Sequence, residues 1–182
     1  MVFVITGPSG VGKGTLIAAL RGRHPEIGVA VSATTRRPRP GEQDGVAYHF
    51  VTETDFDRRL AAGEFLEHAT YAGHRYGTLR AEVERRTRGG ASVVLEIDVQ
   101  GARQIRATMP EAVEIFIAPP SFEALRERLC ARGQDDPDGV ERRLEIARAE
   151  LEARAEFGIV IVNDDRERAI AELDGIYLRY AG

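Results

Sequence analysis

GPSGVGKGT, residues 7–15, decides the fold. It follows the pattern G-x-x-x-x-G-K of a phosphate-binding loop up to the last position, where Gly14 replaces the usual serine or threonine. Gly7, Gly10 and Gly12 let the main chain bend and let phosphates approach it closely. Successive backbone N–H groups then form a concave nest, to which the following helix adds its positive N-terminal end. The flanks agree: VFVIT (2–6) suits a buried strand, and TLIAALRGR (15–23) has helical spacing. Lys13 is also the one lysine among 25 basic residues, the other 24 being arginine. An ammonium is a compact charge that can follow a moving phosphate inside a tight loop, whereas a guanidinium is a wide rigid fork.

The 182 residues fit one domain with room for a real core. A formal net charge of −4 argues against nucleic acid or an anionic membrane as a partner, so basic groups must act locally. Cys130 is the single cysteine, which excludes an internal disulfide and suits a reducing compartment; it is expected as a buried or half-buried thiol on a helix. The apolar start is too short for a signal-peptide core and no stretch approaches a membrane span, so a cytoplasmic location is expected.

Apolar runs alternate with helical patterns along the chain, which predicts an α/β fold with a mainly parallel sheet flanked by helices. GVAVS (28–32) reads as a second strand, ATTRRPRPGEQDG (33–45) as a loop and VAYHF (46–50) as an exposed strand. TETD (52–55) resembles a capping box opening a helix that stops near Gly63. EFLEHATY (64–71) is strand-like, TLRAEVERRTRGG (78–90) reads as a helix, and SVVLEID (92–98) as a buried strand ending in acids. AVEIFIA (112–118) is another strand, followed by a helix capped by Ser121 and, after the polar break RGQDDPDG (132–139), a long arginine-rich helix to about Phe157. GIVIV (158–162) is the last core strand and RERAIAELDGIYLRY (166–180) the closing amphipathic helix. Two stretches, roughly 33–78 and the break after Arg132, interrupt the core alternation, as flaps that close over substrates and exclude water would.

Arg36, Arg37 and Arg39 are concentrated in a proline-stiffened loop, and prearranged guanidinium forks suit a second phosphate distinct from the one at residues 7–15. Tyr48 and Tyr76 offer hydroxyl donors or packing. Glu96 and Asp98 stand two apart at the C-terminal end of an apolar strand, the edge where ligands sit in open α/β sheets. Acids there suit a magnesium-holding role, directly or through water; a helix cap or loop ion pair is the alternative. Arg128 and Arg132 lie four apart on one helical face, with Arg142 and Arg143 on the next helix, where arginines of a closing flap can neutralise a transferring phosphoryl group. The four histidines read as surface or packing residues.

GPSGVGK, VSATTRRPRPGEQDGVAYHF, GEFLEHA, YGT, LEIDVQGA, FIAPPS, RLCARG and VNDD occur in the order and approximate spacing of guanylate kinases, so nearly the whole chain resembles that family. The resemblance implies phosphorylation of GMP and dGMP by ATP with Mg²⁺. It implies a core (1–32, 79–125 and 145–182), a GMP-binding region (33–78) and a lid (about 126–144). Gly7, Pro8, Ser9, Gly10, Val11, Gly12, Lys13, Gly14 and Thr15 would hold the ATP phosphates, with Asn163 beside the adenine. Arg36, Arg39, Tyr48 and Tyr76 would hold the GMP phosphate. Ser32, Glu67, Thr78 and Asp98 would read the guanine, with Glu96 beside them and nearer the magnesium, reaching it through water, while Arg128, Arg132 and Arg143 would close on the transferring group. Gly14 departs from the family, which usually has serine there, and GKGT is instead similar to adenylate kinases. A related kinase acting on adenylate or a sugar phosphate is the first rival, and a non-catalytic module of the same build, which has no need to keep Lys13, is the second.

Overall fold

Val2 and Val4 are buried on one face and Phe3 and Ile5 on the other, so the first strand must lie inside a sheet covered on both sides. The computed structural model describes residues 1–131 and 137–181. Among them the chain runs β1 (Val2–Thr6), α1 (Lys13–Arg23), β2 (Gly28–Val29), β3 (Ala33–Thr34), β4 (His49–Phe50), α2 (Glu53–Ala61), β5 (Phe65–Tyr71) and β6 (His74–Leu79). It continues α3 (Arg80–Thr87), β7 (Val93–Glu96), α4 (Val99–Thr108), β8 (Val113–Ala118), α5 (Phe122–Ala131), α6 (Pro137–Glu152), β9 (Ile159–Val162) and α7 (Arg166–Ala181).

The described residues form two sheets. The larger has the order β2-β7-β1-β8-β9 with every pairing parallel, the α/β architecture expected from the alternation of runs. One core layer joins Phe3, Ile5, Val94 and Ile115 to α1 and α7 through Leu16, Leu20 and Leu173. The opposite layer joins Val4, Leu95 and Phe116 to α4 through Ala102 and Ile105. The smaller sheet, order β4-β3-β6-β5, closes over its own core, where Phe56 of α2 stacks on Phe65 with ring centroids 4.4 Å apart. No helix among the described residues is long and apolar enough to cross a membrane.

Local signals account for several boundaries. Thr52 accepts a hydrogen bond from the Asp55 amide at 3.1 Å and starts α2, and Ser121 does the same for Ala124 at the head of α5. Other expectations are corrected. β2 is only two residues long, and β3 lies inside what reads as a loop. Thr78 and Leu79 end a strand, β6, and the helix starts only at Arg80. The long arginine-rich helix stops at Glu152, and a 3-10 turn covers Ala153–Glu156. Cys130 is exposed, because α5 buries Leu125 and Leu129 and the next position turns away from that face. His24 is more than packing: its ring lies 2.6 Å from the Asp174 carboxylate and ties α1 to α7.

Candidate functional site

The C-terminal ends of β1 and β7 and the inner side of the small sheet enclose a cleft of about 780 Å³. Its floor is the loop between β1 and α1. Gly7 has φ of 130°, and a Cβ there would lie 2.2 Å from the Ile117 carbonyl oxygen, so the loop rests on β8 without room for a side chain. Gly12, φ 101°, caps α1, whose first turn carries no acid to compete with an incoming anion. Lys13 curls back over this loop, its Nζ donating to the Gly7 carbonyl at 2.5 Å and to the Pro8 carbonyl at 3.0 Å. Gly14 is helical, and a Cβ there would meet the Glu96 carboxylate at 3.7 and 3.9 Å, an ordinary contact. Thr15 is exposed.

Asn163 and Arg128 hold the loop from behind and are absent from the cleft wall. The Asn163 Nδ2 donates to the Val11 carbonyl at 2.8 Å, and Arg128 donates to the Asn163 carbonyl at 2.9 Å and to Val11 at 3.4 Å. Arg132 lies outside the described residues. Arg143 reaches the cleft, its Nη1 3.4 Å from Ser9 Oγ, and Arg142 lines the same wall.

Glu96, Asp98 and Glu67 all line the cleft. Glu96, at the end of β7, is exposed in the cleft beside α1. Asp98 is not on the strand: it caps α4, accepting from the Gly101 amide at 2.8 Å. The cap alternative holds for Asp98, which nevertheless lines the cleft; burial pushes its carboxyl up, against the pull of the Gly101 amide and Lys13. Glu67, on β5, is 3 % exposed, and burial pushes its carboxyl up to about 7. Thr78, paired with it across β6, pulls the other way, and the Asp98 charge adds to the rise. A Cβ on Gly101 would lie 2.4 Å from Glu67 Oε2, so only glycine at that position of α4 leaves room for the carboxylate.

On the opposite wall Arg36 lies with its guanidinium 5.4 Å from the Tyr48 ring centroid, and Tyr48 meets Tyr76 edge-on at 5.9 Å. Glu42 organises this corner: it accepts from Arg36 Nη2 at 2.9 Å and from the Arg39 amide at 2.8 Å. Ser32 and Arg39 line the cleft beside them.

Sequence reasoning missed Glu42, Tyr71 and Glu150. Glu42 had a signal, an acid within a run of arginines. Glu150 had one too, standing seven residues, about two turns, beyond Arg143 on the same helix face. It is 7 % exposed and lines the cleft; burial pushes its carboxyl up to about 7, with Lys13 opposing and Asp98 adding to the rise.

The guanylate kinase family model matches residues 1–179. Among relatives, the guanylate kinase of Frankia casuarinae is 55% identical over 170 residues, spanning 93% of this chain and 92% of that protein. The guanylate kinase of Synechococcus sp. strain CC9311 is 54% identical over 94% of this chain and 90% of that protein. The crystal structure of guanylate kinase from Anaplasma phagocytophilum superposes with a TM-score of 0.79 at 34% identity, covering 98% of this chain and 85% of that one.

Proposed function

The chain belongs to the guanylate kinase family, and from that premise we propose how its cleft transfers the γ-phosphoryl group of ATP to GMP. The residues described above divide the work: the loop at residues 7–15 grips the donor, and the small sheet with its arginine corner grips the acceptor. The family relation makes the protein an ATP:GMP phosphotransferase and disfavours the adenylate, sugar-phosphate and binding-only readings.

Glu67 is the observation that carries the choice of base. It is a buried carboxylate that has Thr78 as a neutral hydrogen-bond donor and no cation among the described groups acting on it, so further donors from a ligand would stabilise its charged form. Guanine offers a ring N–H and an amino group side by side, a matched pair for one carboxylate. Adenine presents a ring acceptor at that place, which would leave the carboxylate facing a lone pair. Ser32 and Thr78 supply hydroxyls and Asp98 a second acceptor nearby. Arg36, Arg39, Tyr48 and Tyr76 then hold the acceptor phosphate. These contacts address base and phosphate, so dGMP is a second acceptor. Loss of Glu42 should loosen Arg36: Glu42→Ala is expected to raise KM for GMP about fivefold, the effect of losing one partly exposed charged hydrogen bond, with KM for ATP unchanged in steady-state kinetics.

Lys13 and the loop amides hold and orient the donor phosphates, and Arg143 on α6, with Arg132 as its expected companion, neutralises charge on the transferring group. Asn163 and Arg128 serve the donor side by fixing the loop from behind. The donor set fits Mg²⁺: Glu96 is an exposed hard carboxylate between Gly14 and the Tyr48 corner, able to meet an ion carried largely by phosphate oxygens and water. Bound there, Mg²⁺ would neutralise charge on the phosphate oxygens. Gly14→Ser puts a Cβ in ordinary contact with the Glu96 carboxylate, with a hydroxyl attached to it, and without backbone strain. The variant is expected to fold and to turn over, and to lower the magnesium needed for half-maximal rate roughly two- to tenfold, the worth of one added contact. Abolished activity in a folded variant would contradict this assignment.

A place in purine nucleotide metabolism follows from the reaction, and a reducing compartment such as the cytoplasm suits an exposed, unpaired Cys130. A coupled assay offering ATP with GMP, dGMP, AMP and a sugar phosphate in turn tests the reading. GMP and dGMP should be consumed well ahead of the others, and a preference for AMP would overturn it.

A further inference from the structure

Ser9 is where three parts of the protein meet. From the loop side its hydroxyl lies 3.4 Å from Arg143 Nη1. From further along α6 the Glu150 carboxyl faces the Ser9 amide and, across it, Lys13. Arg143 and Glu150 are seven residues apart on one helix, hence on the same face, so a single face of α6 addresses both the side chain and the main chain of Ser9. From the small sheet, Tyr71 at the end of β5 brings its phenol to the same place, under the influence of Glu150, Ser9 and Arg143. All of these residues line the cleft.

Two atoms at this junction, Tyr71 Oη and Glu150 Oε2, are buried without a hydrogen-bond partner among the described residues. Such atoms are rare in folded proteins, and each is costly unless a bound state supplies the missing partner. Their chemistry is complementary: a phenol can donate, a carboxylate oxygen accepts. Lys13 has three donors, two of them engaged with the Gly7 and Pro8 carbonyls.

We propose that Glu150 and Tyr71 form a positioning pair for phosphoryl transfer, which clasps the P-loop at Ser9 and sets Lys13, the arginines of α6 and the acceptor sheet in register. The pair touches neither reacting oxygen; it acts through Ser9 and Lys13. One member stands on β5, the strand that carries Glu67, and the other on α6, the helix that carries Arg143, so the wall that reads the acceptor and the wall that neutralises the transferring group converge on one junction at Ser9. This rests on the ATP-to-GMP reading above.

The test uses the full chain with Tyr71→Phe, Glu150→Gln and the double variant, each close to the original in volume. Melting temperature, kcat, and KM for ATP and for GMP are measured for all, with the wild type run in parallel. Each single variant should lose about tenfold in kcat, with both KM values moving less than about twofold and the melting temperature shifting by no more than a few degrees. The double variant should fall about as far as the more damaging single one, because both act on one junction. Unchanged kcat in a folded Glu150→Gln protein overturns the proposal, as do losses that multiply in the double variant. A drop in kcat that comes with raised KM for both substrates and a matching loss of melting temperature also overturns it, since that marks a merely structural role. A wild type that fails to phosphorylate GMP instead sinks the underlying reading, so the two failures are distinct.

Discussion

Replacing Lys13 by arginine is expected to leave the fold intact and to remove most of the turnover, on the order of a hundred- to a thousandfold in kcat, the effect of losing one preorganised donor to the charge that develops in transfer. Charge is conserved in this variant, so the effect isolates shape. The ammonium sits between the Gly7 and Pro8 carbonyls at 2.5 and 3.0 Å, under the curl of a loop that is itself pressed onto β8 at Gly7. Three donors on a rotating point charge can leave those carbonyls for phosphate oxygens and move with them. A planar fork of five donors cannot turn within the same space, and its bulk would push on the backbone that forms the anion nest. Circular dichroism and melting temperature check the fold, and steady-state assays at saturating ATP and GMP check the rate. Near wild-type turnover in the arginine variant would refute the explanation for the lone lysine.

The large sheet was legible because its strands carry their signal locally. VFVIT and the VVL of β7 are buried on both faces and read as continuous apolar runs, and the loop before α1 has a fixed spacing. The small sheet was less legible. β3 and β4 are two residues each, too short for any period, and β6 ends in Thr78-Leu79, which reads as the head of the next helix. Asp98 was placed at the right edge of the sheet but in the wrong element, since a strand-end acid and a helix cap have the same sequence appearance one or two residues after an apolar run. Glu150 and Tyr71 owe their meaning to their convergence on Ser9, far away in the chain, and Asn163 and Arg128 meet the loop through main-chain carbonyls that no residue type advertises. The family resemblance named the guanine-reading set; the packing of Gly101 against Glu67, which leaves that carboxylate its space, had to come from the structure.

Glu67→Gln should weaken the use of GMP while leaving ATP almost untouched. The substitution keeps size and replaces one acceptor by a donor, so one of the two bonds to guanine becomes a donor facing a donor. A lost charge-assisted hydrogen bond in a buried site is worth about 1.5–3 kcal/mol, roughly tenfold to somewhat over a hundredfold in kcat/KM for GMP. The same residue gives a pH signature. Burial holds the empty-site carboxyl at about 7, well above its ordinary value, so in the absence of ligand its ionisation opposes folding as pH rises through that range. Guanine needs the ionised form, because two donors face the carboxylate. Below pH 7 a proton must therefore leave before GMP binds, and the apparent affinity should fall by about tenfold per unit as pH drops, levelling off above 7. The GMP phosphate titrates nearby and adds its own dependence, which the glutamine variant retains while losing the part owed to Glu67. Measuring kcat/KM for GMP from pH 5.5 to 8.5 on both proteins separates the two. If the profiles are parallel, or the variant uses GMP as well as the wild type does, Glu67 does not read the base, and the specificity of this cleft must come from the hydroxyls of Ser32 and Thr78 instead.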